Sequence, residues 1–297
     1  MNTTTAPDSR PWRSRGRLGF LGLVLTYGAL VLLCLFALAA AGDLSWGRNP
    51  WDNLLKSMSE FSRPSFLDLW FGNERLEYRS EDGTLLRVEN RREVEASFLA
   101  ALGRATWTTF QIATLGSLLA ALLALPLGLL SARNLRAPRP LALLASTVLD
   151  VSRAIHTLVF GLVLVGIVGL GPTAGILAIA LHSMGTYGKL YAESIETLDM
   201  GAVDAIRATG ASPSQVFFSA IWPSVLPQFV SNHLYVWEFN IRDSTILGLI
   251  GAGGLGLLIS EAVSLFQWSR LASIVLVVVI LVTVFDALSR RIRLALL

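Results

Sequence analysis

Long apolar runs alternate with short charged segments along most of this chain. The first run spans Leu18 to Ala41, and others follow at Thr106–Leu130, Leu141–Gly169, Thr173–Ala192, Ser224–Leu247 and Leu271–Leu288. At about 1.5 Å per helical residue, each run approaches or exceeds a hydrocarbon core of roughly 30 Å. The pattern predicts an all-α polytopic membrane protein with about six transmembrane helices. Basic residues precede the first run, as in a secretory signal. Its apolar stretch is longer than the roughly 7–15 residues of a signal h-region, so it reads as a retained span.

Between the first two runs lies Gly42–Gly103, a charged insertion with its own pattern. Trp51, Leu54, Leu55, Met58 and Phe61 follow helical spacing and predict an interfacial helix. Leu76 and Tyr78 can face Val88 and Leu86 across a Glu81-Asp82-Gly83 turn, which predicts a β-hairpin. Asn90 and Glu93 then resemble a helix N-cap with its acid three residues on. The expected organisation is an N-terminus and first span over 1–41, an insertion over 42–104, and a transmembrane domain over 105–297.

Charge sets the orientation. Arg10, Arg13, Arg15 and Arg17 precede the first span against one acid, Asp8. Arg133, Arg136 and Arg139 lie in an acid-free loop, and Arg290, Arg291 and Arg293 stand near the C-terminus. Six spans place all three clusters on one side, and basic loops collect on the cytoplasmic side. The insertion then lies outside, and both termini lie in the cytoplasm of a bacterial inner membrane. Clusters flanking apolar spans point to lipid rather than to nucleic acid. Only 15% of residues are charged and 53% are hydrophobic, against about 25% charged in soluble domains. Cys34 is the single cysteine, so no intrachain disulfide or cysteine-based metal site is available.

The segment Asp199–Pro223 carries the strongest local signals. Asp199 can cap a short helix, and Gly210 can end it in a left-handed conformation. Ser212 can cap a second helix, with Pro213 at its first position and Gln215 completing a capping box. This segment resembles the cytoplasmic coupling loop of ABC importer permeases, written E-A-A, three residues, G, nine residues, I-x-L-P. Here the pattern is Asp204-Ala205-Ile206, three residues, Gly210, nine residues, then Ala220-Ile221-Trp222-Pro223. The spacing matches throughout, while four side chains depart from the consensus.

Other stretches are similar to the phosphonate branch of these permeases, which includes phosphite and phosphate relatives. They include Leu125-Pro-Leu-Gly-Leu-Leu-Ser-Ala-Arg-Asn134, Gly169-Leu-Gly-Pro172, Leu181-His-Ser183 and Tyr191-Ala-Glu-Ser194. Arg207-Ala-Thr-Gly-Ala211, Leu226-Pro-Gln-Phe229 and Thr245–Gly256 belong to the same set. The branch often has Pro-Glu where His156-Thr157 stand. The resemblance implies a type I importer permease fold over about Thr106 to Arg293. It also implies a second permease copy or sister permease, two ATP-binding cassette subunits and an external substrate-binding protein. Asp204, Ala205, Arg207, Gly210 and Pro223 would couple to the ATPase. ATP and Mg would be used by that partner, because this chain has no Gly-x-x-x-x-Gly-Lys-Ser/Thr loop; Gly188-Lys189-Leu190 does not satisfy it.

Ionisable residues inside spans are costly and often functional. Asp150, Arg153 and His156 recur every three residues and are expected on one helical face, with Asp150–Arg153 as a structural pair or Arg153 and His156 on an anion path. Glu238 and Arg242 have the spacing of a helical ion pair, and Ser244 and Thr245 add hydroxyls to the candidate path. Gly251, Gly253, Gly254 and Gly256 follow no strand, so they predict close packing or a bending gate rather than a dinucleotide loop. Two other classes compete. An ion-coupled secondary transporter would have inverted repeats, and none is visible. A membrane enzyme would need a nucleophile or zinc motif, and none stands out, so no catalytic or metal residue is assigned.

Overall fold

The computed structural model describes residues 14–42, 50–71, 75–79, 85–135 and 138–296. The turn at residues 81–83, the N-terminal residues 1–13 and Arg136 lie outside them. The contacts divide the chain into residues 1–56 and 57–297.

In the first unit, α1 (Ser14–Ala40) is apolar on every side, and Phe20, Leu25 and Leu33 are among its many exposed side chains. A helix without a polar face suits a surrounding of lipid. The helix α2 (Pro50–Phe61) carries the boundary between the units, and its Trp51, Leu54, Leu55, Met58 and Phe61 are exposed, as the sequence spacing predicts.

The second unit opens with a 3-10 turn at Ser65–Leu67, the short α3 (Asp68–Phe71) and a hairpin of β1 (Arg75–Arg79) with β2 (Leu85–Asn90). The hairpin exists, but its register corrects the expected one. Leu76 pairs with Glu89 and Tyr78 with Arg87, because a bulge beside Tyr78 and Arg79 inserts one residue into the ladder. The pairing sum expected from the sequence holds only at Arg79–Leu85. Asn90 caps the next helix as predicted, accepting a 3.1 Å bond from the Arg92 amide.

That helix, α4 (Arg91–Ser131), runs 41 residues without a break, about 60 Å at the usual rise and twice a hydrocarbon core. The expected separate helix and second span are therefore one element. α5 (Arg139–Ala154) and α6 (Thr157–Val168) occupy the third expected span, but they meet at 90°. The single helix expected over Leu141–Gly169 is corrected for a local reason. Ile155 is extended, its carbonyl accepts from His182, and His156 turns to cap α6 through Nδ1, which accepts from the Leu158 amide at 3.2 Å.

α7 (Pro172–Glu196) returns antiparallel to α5 and parallel to α4. Its end leads into α8 (Met200–Ala208), then α9 (Pro213–Val216), a π-turn over Phe217–Ile221 and α10 (Trp222–Leu247). A glycine-rich bend leads to α11 (Leu255–Ser264), and α12 (Trp268–Leu296) closes the bundle. Among the described residues, α1, α4 and α12 are each long and apolar enough to cross a membrane, and two bent pairs pass the same test jointly. α7 carries His182, Lys189 and Glu193, and it is covered by α4, α5, α6 and α10.

Small residues let these helices touch. A Cβ at Gly128 would stand 2.9 Å from the Gly188 carbonyl, and one at Gly116 would stand 2.8 Å from Ile179. Without a hydrophobic drive between helices in lipid, this close packing is the main source of cohesion. At the opposite end of the bundle, Gly251 (φ +96°), Gly253 (+85°) and Gly254 (+71°) turn the chain, and Gly171 donates to the Gly251 carbonyl at 3.0 Å. Gly256 lies against the backbone of Thr245 and Gly248, so a side chain there has no room.

The α5–α7 crossing gives a direct check. A Cβ at Gly185 would lie 2.5 Å from the Leu149 carbonyl and 2.6 Å from the Arg153 nitrogen. Gly185→Ala is expected to destabilise the bundle by about 1–3 kcal/mol through overpacking. Thermal melting in detergent measures this, and an unchanged melting temperature would refute the contact.

Candidate functional site

The 199–223 segment folds as its local signals dictate. Asp199 Oδ1 accepts from the Gly201 amide at 2.9 Å and starts α8. Gly210 ends it at φ +79°, donating to the Arg207 carbonyl at 3.0 Å. A side chain at that φ is strained by roughly 1–2 kcal/mol. Ser212 then completes the capping box, donating its amide to Gln215 Oε1 at 2.8 Å while its hydroxyl accepts from the Gln215 amide at 3.4 Å.

One side of this paired element is seated in the protein. Val203, Val216, Ala220 and Ile221 are buried in a cluster with Tyr187, Tyr191 and Phe229, and Ile206 packs on its edge. The other side is open. Gly201, Ala202, Asp204, Ala205, Arg207 and Ala208 are exposed, with Asp204 and Arg207 paired at 3.0 Å. The outward surface is therefore low and nearly neutral, suited to lying in a groove. The turn after α4 braces the root of the element. Arg133 donates its amide to Glu196 Oε1 at 2.9 Å, and Asn134 Nδ2 donates to the Ile195 carbonyl at 2.6 Å. The Arg133 turn and the 199–223 segment thus lie at the same end of the bundle.

The π-turn is absent from the sequence reading, although its cause is visible there. Pro223 has no amide hydrogen and its ring crowds the carbonyl four residues back. The helix widens over Phe217–Ile221, and the Trp222 amide reaches the Phe217 carbonyl. A continuous rod from α9 into α10 results.

Within the bundle, polar groups are matched across helices. Ser183 donates to Asn240 Oδ1 at 2.8 Å, and Asn240 donates to Ser117 at 2.7 Å. Asp150 holds both Arg153 and Lys189 at 2.9 Å. Thr157 donates to Asp243 at 2.8 Å. Glu238 pairs with Arg242 at 3.0 Å and with Arg293 at 3.8 Å. A cavity of about 250 Å³ opens between α7 and α10, lined by His182, Ser183, Thr186, Tyr235, Phe239, Asn240 and Asp243 among others.

The expected path residues separate into groups. Arg153 and His156 are exposed but stand on either side of the α5–α6 break, so His156 does not share the helical face of Asp150 and Arg153. Its ring lies 6.2 Å from that of His182. Arg242 is exposed and lies over the Phe239 ring at 4.6 Å. Ser244 and Thr245 are buried, and their hydroxyls donate to the Ile241 and Arg242 carbonyls of their own helix. The four glycines gather at the far end of the bundle, beside Thr109, Leu170 and Pro172. The Ser117–Asn240–Ser183 chain was not legible, since it joins positions more than fifty residues apart.

This bundle, with its seated helix–glycine–helix element, defines a membrane permease of the ABC transporter class. The chain belongs to the family described as "Binding-protein-dependent transport system inner membrane component", whose model matches residues 124–296. It is 39% identical over 186 residues to the phosphite transport system permease protein PtxC of Stutzerimonas stutzeri, covering 62% of this chain and 67% of that protein. It is 34% identical over 194 residues to the phosphate-import permease protein PhnE of Mycolicibacterium smegmatis, covering 65% of this chain and only 36% of that one. Among solved structures, the inward-facing MetNI methionine ABC transporter has a chain of the same fold, with a TM-score of 0.61 at 22% identity, covering 68% of this chain and 98% of that chain. The relatives are named as permeases and not as enzymes.

The buried polar chain makes a testable point. Asn240→Leu removes two interhelical hydrogen bonds, each worth about 0.6–1.7 kcal/mol in a membrane protein. A loss of about 1–3 kcal/mol in thermal or denaturant unfolding is expected, and wild-type stability would contradict the assignment.

Proposed function

We propose that this chain is the membrane-spanning subunit of an ATP-driven importer for phosphonate-type oxyanions: phosphonate, phosphite or phosphate. Two permeases, identical or sister chains, pair with two ATP-binding cassette subunits and receive cargo from an external binding protein. The complex resides in the bacterial inner membrane, with both termini of this chain cytoplasmic and the 42–104 insertion outside. The 105–297 region forms the transmembrane domain.

The observation that carries this reading is the 199–223 segment. It is rigid by its caps, seated by Val203 and Val216, and open along Asp204, Ala205 and Arg207. In the proposed cycle that open face lies in a groove of the ATPase, which binds ATP with Mg. Closure of the ATPases moves α8, and the unbroken path through α9 into α10 carries the motion into the membrane. Pro223 sits where that rod enters the bundle. ATP is needed because drawing one negative charge into a negative interior costs about 2.3 kcal/mol per 100 mV. Names of relatives at 34–39% identity supply the cargo class. Arg153, His156 and Arg242 offer positive or donor groups along the path, with Ser244 and Thr245 behind them. Gly251, Gly253, Gly254 and Gly256 form the outer bend where a gate opens.

Co-purification with an ATPase whose hydrolysis rises with loaded binding protein tests the whole reading. ATP-independent uptake by the purified chain would sink it. Gly210→Pro is incompatible with φ +79° and deletes the amide bond to Arg207. It is expected to abolish coupled transport while leaving membrane insertion intact; wild-type uptake would refute the coupling assignment. Arg242→Ala is expected to lower anion uptake severalfold at normal expression. Equal uptake would remove Arg242 from the path.

A further inference from the structure

A second polar site lies away from the path. Where α4 ends and α5 begins, a cavity of about 430 Å³ is lined by Ser131, Ala132, Arg133, Arg139, Ala142, Leu143 and Ser146. Among the described residues, its wall has two arginines and no acid. Two carboxylates stand beside it and both are already partnered: Asp150 holds Arg153 and Lys189, and Glu196 accepts the amide of the lining residue Arg133. Arg133 is 92% exposed and its guanidinium reaches Glu196 only at 4.0 Å. Ser146 accepts from Lys189 Nζ at 2.7 Å, so its own hydroxyl hydrogen is left to donate. Ser131 is not available in the same way, because its hydroxyl donates to the Gly128 carbonyl.

We propose that this cavity binds the phosphate of an anionic phospholipid headgroup. Two cationic side chains and a hydroxyl donor match the charge and the acceptors of a phosphodiester. The choice of a lipid over free phosphate comes from the apolar surface alongside. Leu143 lines the cavity and is 69% exposed, and Leu141 and Leu144 on the same first turns of α5 are 48% and 62% exposed. An acyl chain covers such a surface; a free ion leaves it in water. Basic pockets at the cytoplasmic ends of spans suit acidic headgroups.

The position gives the site a consequence. Its wall, Arg133, belongs to the turn that binds Glu196 and Ile195, a few residues before Asp199 starts α8. A headgroup held there touches the turn at the root of the 199–223 segment, a step beyond the function proposed above.

Native mass spectrometry of the detergent-purified chain, titrated with phosphatidylglycerol or phosphatidylcholine, tests the site without requiring transport. The wild-type chain is expected to retain phosphatidylglycerol selectively. The double variant Arg133→Gln/Arg139→Gln is expected to bind it about thirtyfold more weakly, from two charges near the surface. Arg133→Lys/Arg139→Lys keeps the charge and is expected to stay within about threefold of wild type. Equal retention by the glutamine variant would overturn the proposal. So would an equal loss in the lysine variant, which would point to disturbed folding. Millimolar inorganic phosphate is expected to leave the lipid bound; displacement by it would assign the site to the free ion instead.

Discussion

The contact on which the rest depends is the close approach of α4 and α7. Gly116 and Gly128 on one helix, with Gly175 on the other, bring two backbones together where side chains would hold them apart. In lipid the apolar surfaces of helices gain little by leaving their surroundings, so fit and hydrogen bonding must supply the cohesion. Everything functional hangs from α7. It presents His182 and Thr186 to the inner cavity, donates Ser183 to Asn240, and ends at Glu196 and Ile195, where the turn after α4 grips it. The same packing therefore fixes both the polar interior and the root of the 199–223 segment.

Ion pairs in the bundle follow a consistent arrangement. Asp150 is shared by two cations and Glu238 by two arginines, so each acid is outnumbered by its partners. Charges of this kind are costly in a membrane unless paired. The surplus on each pair is positive, and Arg153 and Arg242 carry it at exposed positions. Asp243, held by Thr157 and facing the inner cavity, is the counterweight.

Local chemistry was legible in the sequence, and long-range chemistry was not. Asp199, Gly210, Ser212 and Gln215 act within a few residues, and their caps follow from residue type and spacing alone. The apolar runs matched α1, α4 and α12 directly; the third and fifth runs fall on bent pairs, and α7 is too polar to pass the same test. The spacing around Gly210 pointed to the family. The break at Ile155–His156 was hidden because no glycine or proline marks it; its cause is a carbonyl taken by His182 on another helix. The hairpin register failed by one residue because a bulge leaves no reliable trace in an alternating pattern. Ser244 and Thr245 were legible as hydroxyls, but not as hydroxyls directed inward.

The widened turn at Phe217–Ile221 has a geometric consequence. One extra residue in a helix rotates everything beyond it by about 100°. The nine residues between Gly210 and Ala220 therefore act as a phase setting. They decide which side of α10 faces the cavity for a given seating of α8. A one-residue deletion in the π-turn would leave the sequences of α8 and α10 unchanged. It would turn Asn240 and Asp243 away from α7 like a key cut correctly but clocked wrongly on its shaft.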